Sequence, residues 1–343
     1  MRILIATDAW HPQINGVVRT LSSCKRELEA MGDTVHVVSP QGRRTLGLPS
    51  YKEIRLAFPS RRAVAREIEG FGPDAIHIAT EGPIGNRVRR HCLRHDLPFT
   101  TGYHTRFPEF AAARVPASLR PAVRATFYRL LRAFHAPSQA VLAPTRSIAD
   151  DLTRRGFANA RAWTRGVDHS TFRDLPEAER HDYGDDRPIL VNCGRVAVEK
   201  NVEAFLAADV PGTKVVIGDG PQRRELERRF PDAVFTGYLF GDELARHLAG
   251  GDVFVFPSVN DTFGLVMIEA MACGLPVAAH PVPGPVDVVE HGASGWLADD
   301  LGEAIRGASG LRREDALARA RGFTWEETAR QLRGALVRIG NAG

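Results

Sequence analysis

Short apolar runs alternate with longer amphipathic stretches along the whole chain. In the first half, apolar and β-branched runs predict buried strands at Arg2–Ala6, Thr34–Ser39, Ala75–Ile78, Phe99–Tyr103 and Ala140–Ala143. Between them, apolar residues at helical spacing predict helices, for example Val17–Met31 and Gly82–His95. The first half therefore reads as a series of strand–helix units.

The second half repeats this alternation. Its predicted strands are Ile189–Cys193, Val215–Ile217, Val234–Thr236, Val253–Phe256 and Val277–Ala279. Its predicted helices are Val202–Ala208, Gln222–Phe230, Glu243–Ala249 and Leu265–Cys273. Alternating strands and helices are typical of parallel sheets with helices on both faces. Two such units in tandem predict an α/β protein with two Rossmann-like domains that face each other across a deep, ligand-binding cleft.

The expected domains are residues 1–172 and residues 173–324. The polar segment Asp174–Arg187 lacks apolar periodicity, so it is the predicted linker. A last amphipathic helix is predicted over residues 325–341, after Thr324 as a helix cap. We expect this helix to pack back on the first domain.

The composition is that of an ordinary soluble protein, with 43% apolar and 25% charged residues in 343. No apolar run reaches the roughly 18 residues that a membrane-spanning helix needs. The first residues read as a buried strand rather than as a signal peptide. The four cysteines are scattered, with no C-x-x-C pair to suggest a metal or redox site. These features predict a cytoplasmic protein.

Charge is divided unequally between the two halves. Residues 1–172 hold 26 Lys and Arg against 14 Asp and Glu, a net charge of +12. The remaining residues hold 19 against 27, a net charge of −8. The excess in the first half indicates an anionic partner, either nucleic acid or a membrane surface.

A loop that contains Gly16 follows the first predicted strand and opens onto a helix. Such a loop offers backbone N–H groups and the positive end of the helix dipole to a phosphate. A tight strand-to-helix turn without a ligand explains the pattern equally well. The segment does not have the G-x-G-x-x-G spacing, so it does not indicate binding of a nicotinamide dinucleotide.

A second loop, Cys193–Asn201, follows the first strand of the second half and carries Arg195 and Lys200. Arginine offers a planar fork of donors and lysine a mobile point charge, and together they suit a pyrophosphate. A solvated surface loop is the alternative. The position at the carboxyl end of a strand favours the phosphate.

The most specific pattern runs from Pro257 to Gly274. A buried strand ends at its start and a helix begins near Gly264, so Phe263, Gly264 and Leu265 are placed to aim backbone N–H groups at a phosphate. Seven residues separate Asp261 in the loop from Glu269 on the helix. Carboxylates accept hydrogen bonds from sugar and ribose hydroxyls. Alternatively, Asp261 caps the helix and Glu269 pairs with a buried arginine.

Taken together, these motifs resemble the retaining GT-B glycosyltransferases of family 4, over nearly the whole chain. The resemblance rests on Gly16, Arg195, Lys200, the Gly218-Asp219-Gly220-Pro221 turn and the Asp261-x7-Glu269 block. It implies a nucleotide-sugar donor held at Gly16, Arg195, Lys200, Gly218, Gly220, Phe263, Gly264, Leu265 and Glu269. It also implies that His104, in Tyr103-His104-Thr105, and Asp261 are catalytic and lie beside the transferred sugar.

The chain departs from this family at two places. Asp261 stands where most members have Glu, which shortens the side chain by one methylene. Pro283-Gly284-Pro285-Val286-Asp287 stands where a G-G-x-x-E turn is common. The resemblance further implies retention of the anomeric configuration without a covalent intermediate, and no cofactor or metal. The sequence carries no convincing D-x-D site or His/Cys cluster.

The acceptor is indicated by the basic segment 114–135. It interleaves arginines with aromatic and aliphatic residues, and its candidate acceptor or membrane residues are Arg120, Arg124, Phe127, Tyr128, Arg129 and Arg132. A basic amphipathic helix of this kind is typical of a membrane interface. An arginine-rich solvated face over an ordinary core gives the same pattern. With the charge of the first half, we expect contact with anionic lipid at the inner face of the cell membrane.

The chain thus resembles family members that glycosylate lipids such as diacylglycerol, including sulfoquinovosyl-diacylglycerol-synthase-like and mannosyltransferase-like sequences. The expected donor is a UDP-sugar or GDP-mannose. A soluble sugar or polysaccharide acceptor is one alternative, and a nucleotide-sugar 2-epimerase of the same fold is another. Nucleic-acid binding leaves the acidic second half and the Asp261–Glu269 block unexplained, and no aromatic-rich RNA-binding signature is present.

Overall fold

The computed structural model describes residues 1–13, 15–48, 51–184 and 188–340. The chain forms two compact units, one made of residues 1–164 with the chain from Trp325 onward, the other of residues 165–324. A six-stranded sheet lies in each unit, and all of its strands are parallel. The predicted pair of Rossmann-like halves is confirmed.

The first unit contains eight strands and seven α-helices within its described residues, the last of which comes from the C-terminal end of the chain. Its strands are β1 (Arg2–Ala6), β2 (Thr34–Val38), β3 (Thr45–Leu48), β4 (Tyr51–Ala57), β5 (Ala75–Ile78), β6 (Thr100–Gly102), β7 (Val141–Ala143) and β8 (Ala160–Ala162). Its first six helices are α1 (Gly16–Ala30), α2 (Arg61–Phe71), α3 (Pro83–Arg94), α4 (Phe107–Ala113), α5 (Arg120–His135) and α6 (Arg146–Arg154). The sheet order is β2-β1-β5-β6-β7-β8, and β3 and β4 form a separate antiparallel hairpin.

The second unit has the sheet order β11-β10-β9-β12-β13-β14. Its strands are β9 (Ile189–Cys193), β10 (Thr213–Ile217), β11 (Val234–Gly237), β12 (Val253–Phe256), β13 (Val277–Ala279) and β14 (Gly295–Leu297). Its helices are α7 (Val202–Ala207), α8 (Arg223–Arg229), α9 (Gly241–Ala249), α10 (Leu265–Ala272), α11 (Pro285–Val288), α12 (Leu301–Ala308) and α13 (Arg313–Ala320). The last helix, α14 (Trp325–Ala335), belongs to the first unit.

The central strand β9 shows how the sheet of the second unit is buried. Ile189 and Val191 pack into the core on one face of the sheet, and Leu190 packs into the core on the other. A strand that is covered on both faces needs apolar residues in succession rather than in alternation. Burial on both faces therefore explains the consecutive apolar residues Ile189, Leu190 and Val191 that predict this strand.

The boundary between the units lies between Thr164 and Arg165, eight residues before the predicted one. Val167 and Phe172 are buried in the core of the second unit, at 4% and 6% exposure. Their burial fixes this stretch to the second unit, so the prediction that residues 165–172 belong to the first domain is wrong.

The predicted linker, Asp174–Arg187, packs on the second unit in its described part, residues 174–184. Leu175 is buried in the same core, and the amide of His181 donates to the carbonyl oxygen of Arg246 at 3.0 Å. These contacts hold the segment against the unit despite its polar sequence, so it is not a free linker there. Residues 185–187 lie outside the described residues.

The C-terminal helix packs on the first unit, where Ala329 and Leu332 share a buried cluster with Leu21 of α1. It ends at Ala335, short of the predicted end at residue 341, which lies outside the described part of the chain. After the helix, the amide of Ile339 donates to the carbonyl oxygen of Asp74 at 2.7 Å. The amide of Ile339 thus bonds to a residue distant in the sequence rather than to a carbonyl oxygen of the preceding helical turn.

Candidate functional site

The predicted donor loops of the second unit follow two neighbouring strands, β9 and β12. From β9 the chain continues to β10 on one side of the sheet, and from β12 it continues to β13 on the other. This is the topological switch point, where open α/β sheets bind ligands outside the carboxyl ends of their strands. The loop with Arg195 and Lys200 and the loop with Asp261 therefore begin where the fold favours a ligand site.

The structure joins Lys200 and Asp261, two of the predicted site residues, in an ion pair. The Lys200 Nζ donates to both carboxylate oxygens of Asp261, at 2.6 and 2.8 Å. Their side chains are 32% and 18% exposed, respectively. The sequence assigns these residues to different tasks, diphosphate and sugar, and does not predict that they pair.

Arg195 is half-buried near the start of the same loop, directly after Gly194. The loop is held to the end of β10, since the amide of Gly194 donates to the carbonyl oxygen of Ile217 at 2.9 Å. A guanidinium on an anchored loop offers its planar set of donors in a restricted direction. This arrangement suits a phosphate ligand.

Gly218 and Gly220 allow the turn after β10 to approach that loop closely. A Cβ atom at Gly218 would lie 1.9 Å from the carbonyl oxygen of Gly194, and one at Gly220 would lie 2.4 Å from that of Val196. Gly218 also has a φ of +144°, which favours glycine. The structure thus assigns both glycines a packing role beside the Arg195 loop.

Gly264 caps the N-terminus of α10 in the left-handed conformation, with a φ of +82°. Leu265 is the first residue of this helix, and the N–H groups at the start of a helix generally lack an acceptor within it. Here the amide of Met267 already donates to the carbonyl oxygen of Gly264 at 2.9 Å, so the amides before it are the ones placed to meet a ligand. The ring of Phe263 is buried and packs edge-on against Phe323, with ring centroids 6.0 Å apart. Phe263 therefore has its backbone, rather than its ring, to offer a ligand.

Glu269 lies on α10 and is only 4% exposed, within a run of buried residues from Met267 to Ala272. Glu269 is therefore part of the interior of the second unit, whereas Asp261 is half-buried in the loop before the helix. The two carboxylates of the motif thus occupy different environments. A ligand group must reach below the surface of the second unit to contact Glu269.

In the first unit, α1 begins at Gly16 and is capped by Asn15. The Asn15 side chain accepts from the amides of Val17 and Val18, both at 3.0 Å. The tight strand-to-helix turn, which the sequence offers as the alternative to a phosphate loop, is therefore present. Two first-turn amides are engaged by this cap, and Gly16 is exposed beside them.

His104 follows β6 and is half-buried against Trp163, with ring centroids 5.7 Å apart and planes at 74°. The Trp163 Nε1 donates to the carbonyl oxygen of Thr328 in α14 at 2.8 Å. The C-terminal helix thus holds the indole against which His104 packs. The sequence pattern does not identify Trp163, because its partner lies 165 positions away.

Tyr128 does not lie on an exposed membrane face, and its assignment there is wrong. It is 8% exposed, its hydroxyl donates to Glu109 of α4 at 3.0 Å, and Arg155 lies 4.0 Å over its ring. Burial, and then the Glu109 carboxylate, raise the pKa of the tyrosine above its usual value. Tyr128 lies on the side of α5 that packs on the unit, with Leu131.

The remaining candidates in this segment are exposed, and they lie on α5, which begins at Arg120 rather than at residue 114. Arg124 is 45% exposed and pairs with Glu109 at 2.7 Å. The exposed arginines are accompanied by exposed apolar side chains, Phe127 (37%) and Leu130 (61%) on the helix and Leu119 (53%) directly before it. The outward face of α5 is therefore both basic and apolar.

Within the described residues, no group of three or more His, Cys, Asp and Glu side chains is arranged to hold a metal ion. No helix among them is long and apolar enough to cross a membrane. The prediction of metal independence stays a prediction.

Two Rossmann-like units, one with paired charged loops at its switch point, define a protein of the GT-B glycosyltransferase type. The chain matches the family described as glycosyltransferase family 4 over residues 14–171, and that described as glycosyl transferases group 1 over residues 187–310. This chain therefore belongs to glycosyltransferase family 4, as its motifs predict.

Three characterised proteins show which sequences this chain is similar to. The chain is 31% identical to the sulfoquinovosyl transferase of Arabidopsis thaliana, over 83% of this chain and 61% of that protein. It is 31% identical to a GDP-mannose-dependent alpha-mannosyltransferase of Mycobacterium tuberculosis, over 87% and 83%. It is 27% identical to the alpha-monoglucosyldiacylglycerol synthase of Streptococcus pneumoniae, over 82% and 72%. The chain thus spans less than two thirds of the first relative's length.

Among solved structures, the sucrose-phosphate synthase from Thermosynechococcus elongatus has the same fold, with a TM-score of 0.77 at 19% identity over 97% of both chains.

Proposed function

We propose that this protein is a retaining glycosyltransferase that moves a hexose from a nucleotide-sugar to a membrane lipid such as diacylglycerol. The observation that carries the proposal is the meeting of Lys200 and Asp261 at the switch point of the second unit. It brings a cation suited to a diphosphate and a carboxylate suited to a sugar into direct contact.

In this proposal, Arg195, Lys200 and the first-turn amides of α10 bind the donor diphosphate. As the bond between the sugar and the diphosphate breaks, negative charge develops on the leaving phosphate, and fixed donors stabilise it. The reaction then needs no divalent ion. The leaving phosphate assists attack on the same face of the sugar, which retains the anomeric configuration without a covalent intermediate.

The carboxylates divide the recognition of the rest of the donor. Asp261 accepts hydrogen bonds from the transferred sugar, with His104 as the second catalytic residue, and Glu269 accepts from the ribose hydroxyls. The burial of Glu269 supports a binding role, because water competes less for a hydrogen bond at a buried carboxylate. We favour a UDP-sugar as the donor, with GDP-mannose as the second choice in view of the mannosyltransferase relatives.

Two observations support a lipid acceptor: the outward face of α5 and the similarity of the chain to the alpha-monoglucosyldiacylglycerol synthase of Streptococcus pneumoniae. Exposed Phe127 and Leu130 beside exposed arginines suit an interfacial helix, in which apolar side chains enter the bilayer and cations remain at the headgroups. We accordingly place the protein at the inner face of the cell membrane, attached peripherally.

The test is a screen of UDP- and GDP-sugars, each with diacylglycerol in anionic vesicles, with a soluble oligosaccharide, or without acceptor. We expect a glycolipid product whose anomeric configuration, measured by NMR, matches that of the donor. Transfer to the soluble acceptor alone would reject the lipid. A donor sugar that changes its configuration without any acceptor would identify an epimerase.

A further inference from the structure

The Lys200–Asp261 ion pair suggests how the donor site is controlled. We propose that Asp261 occupies Lys200 until the donor diphosphate displaces it, so that binding of the nucleotide-sugar releases the carboxylate for the sugar hydroxyls. This inference rests on the proposed function, and it adds a negative effect of Asp261 on nucleotide affinity.

The geometry of the pair favours an exchange. An ammonium group has three donors, and two of them are directed at the Oδ1 and Oδ2 atoms of Asp261, at 2.6 and 2.8 Å. The pair is partly covered, so solvent screens it less than it screens a fully exposed pair. A diphosphate that approaches Lys200 therefore competes with a formed interaction.

Hydrogen bonds hold the loop of Lys200 to the loop of Asp261, which keeps the two side chains within reach of each other. Asn201, next to Lys200, has a φ of +54°, and its Nδ2 donates to the carbonyl oxygen of Pro257 at 3.3 Å. The Ser258 hydroxyl donates to the carbonyl oxygen of Glu199 at 3.4 Å. These bonds link the two loops independently of the ion pair, so the side chains can exchange partners while the loops stay in place.

The glycine turn after β13 packs against the backbone of Asp261. Gly284 has a φ of +104°, and a Cβ atom there would lie 3.1 Å from the backbone oxygen of Asp261. The backbone at Asp261 is thus packed on a turn that favours glycine. Movement of the Lys200 side chain on its flexible four-carbon stem is the easier route to a new partner.

The exchange has a consequence at each end of the catalytic cycle. A diphosphate carries more negative charge than a carboxylate, so it takes over Lys200 when the donor enters. After transfer, Asp261 no longer contacts the sugar and competes for Lys200 again, which weakens the hold on the nucleoside diphosphate. Release of product limits turnover in many enzymes, so this competition would assist the cycle.

The test compares the dissociation constants of free UDP and GDP for the wild type and for Asp261→Asn, measured by calorimetry. We expect the variant to bind the preferred nucleotide about two- to tenfold more tightly, because the ion pair no longer competes. Transfer activity falls in the same variant, since the sugar loses its carboxylate. Asp261→Ser serves as a second variant if Asp261→Asn does not fold.

Two controls separate the ion pair from a general effect of charge. Glu199→Gln removes one negative charge from the Lys200 loop while it leaves the pair in place, and we expect its affinity to stay within about twofold of wild type. Combining Asp261→Asn with Lys200→Met completes a double-mutant cycle. In the Lys200→Met background, Asp261→Asn should no longer raise the nucleotide affinity, because the ion pair is already absent.

The inference is overturned if wild type binds nucleotide and Asp261→Asn binds it no more tightly, or if the gain persists without Lys200. The proposed function would survive either result. If wild type binds neither nucleotide and transfers no sugar, the proposed function fails and this inference fails with it.

Discussion

Gly102 leaves the space that the His104 ring occupies. A Cβ atom at position 102 would lie 2.7 Å from the Nε2 of His104 and 3.2 Å from the carbonyl oxygen of Ala79. The strand backbone cannot yield easily, because Gly102 is buried in β6 within the sheet. The ring of His104 must therefore move if any other residue stands at position 102.

We expect Gly102→Ala to reduce sugar transfer by about tenfold or more, as displacement of a catalytic group by about 1 Å can do. Nucleotide affinity is expected to stay unchanged, since the proposed nucleotide residues other than Gly16 lie in the second unit. Calorimetry with UDP and GDP, beside transfer rates, measures the two effects. Gly70→Ala is the control, because nothing lies within 4 Å of its added Cβ. Unchanged transfer by a folded Gly102→Ala would remove His104 from catalysis.

Arg195→Ala and Lys200→Ala are each expected to lower turnover by at least about a hundredfold. Each removes a fixed cation from the charge that develops on the leaving diphosphate. Steady-state rates with saturating donor measure the loss. Arg228, exposed on α8, is the matched control, and its replacement by Ala should leave turnover unchanged. A variant that folds and keeps wild-type turnover excludes that residue from the diphosphate site.

Transfer is expected to persist in excess EDTA. The proposed cations and the N-terminus of α10 supply the positive charge that a divalent ion provides in other transferases. The measurement is the transfer rate after dialysis against EDTA, with and without added magnesium or manganese. Complete loss of activity that either ion restores would contradict the metal-free mechanism.

The outward face of α5 is expected to bind anionic vesicles. Replacement of Arg120, Arg129 and Arg132 by Gln should release the protein, since each basic residue near such a surface contributes on the order of 1 kcal/mol. Arg124 is left in place because it pairs with Glu109. Co-sedimentation with vesicles at rising salt measures the effect, and attachment should weaken because screening limits the reach of charge to roughly 8 Å at physiological ionic strength.

Two further variants of the vesicle experiment test its specificity. Gln at the exposed Arg224, Arg228 and Arg321 of the second unit removes the same charge elsewhere, and binding should persist. Leu130→Gln, at a side chain that is 61% exposed, should weaken binding even at low salt, because it removes an apolar contact with the bilayer. If the α5 triple variant sediments like wild type, this helix is not the anchor.

The buried carboxylate of Asp33 is expected to make stability depend on pH. Burial would raise its pKa, but hydrogen bonds from Arg333 and from the N-terminal amino group outweigh burial and lower it. A lowered pKa means that the contribution is present above the unfolded value of about 3.9 and is lost as the pH falls through the folded value.

We therefore expect Asp33→Asn to lower the Tm by about 2–8 °C at pH 7, and by progressively less as the pH falls below about 4. The Arg333 Nε lies 2.7 Å from the Oδ2 of Asp33, so the variant weakens the attachment of α14. Calorimetric melting across this pH range is the measurement, with the exposed Asp232→Asn as the control. A difference in Tm that is independent of pH would reject the ion pair as its cause.

The sequence alone determined the two Rossmann-like units and the chemistry of their loops. Strands such as Ile189–Cys193 and Val253–Phe256 have the predicted bounds because burial on both faces favours consecutive apolar residues, as at Ile189–Val191 and throughout Val253–Phe256. The order of strand, charged loop and helix then places Arg195 and Asp261 at carboxyl ends of strands. Strands that lack such a run, such as β8 and the β3–β4 hairpin, are not predicted.

Tertiary structure decided which of these residues meet. Lys200 and Asp261 are 61 positions apart, and only the parallel neighbours β9 and β12 bring their loops together. Tyr128 has the pattern of an interfacial aromatic, yet α4, α6 and Arg155, which directly follows α6, pack against α5 and bury it. The periodicity of apolar residues in the sequence indicates whether a side chain is buried or exposed. The element that covers it depends on sheet order and helix packing, which are properties of the whole fold.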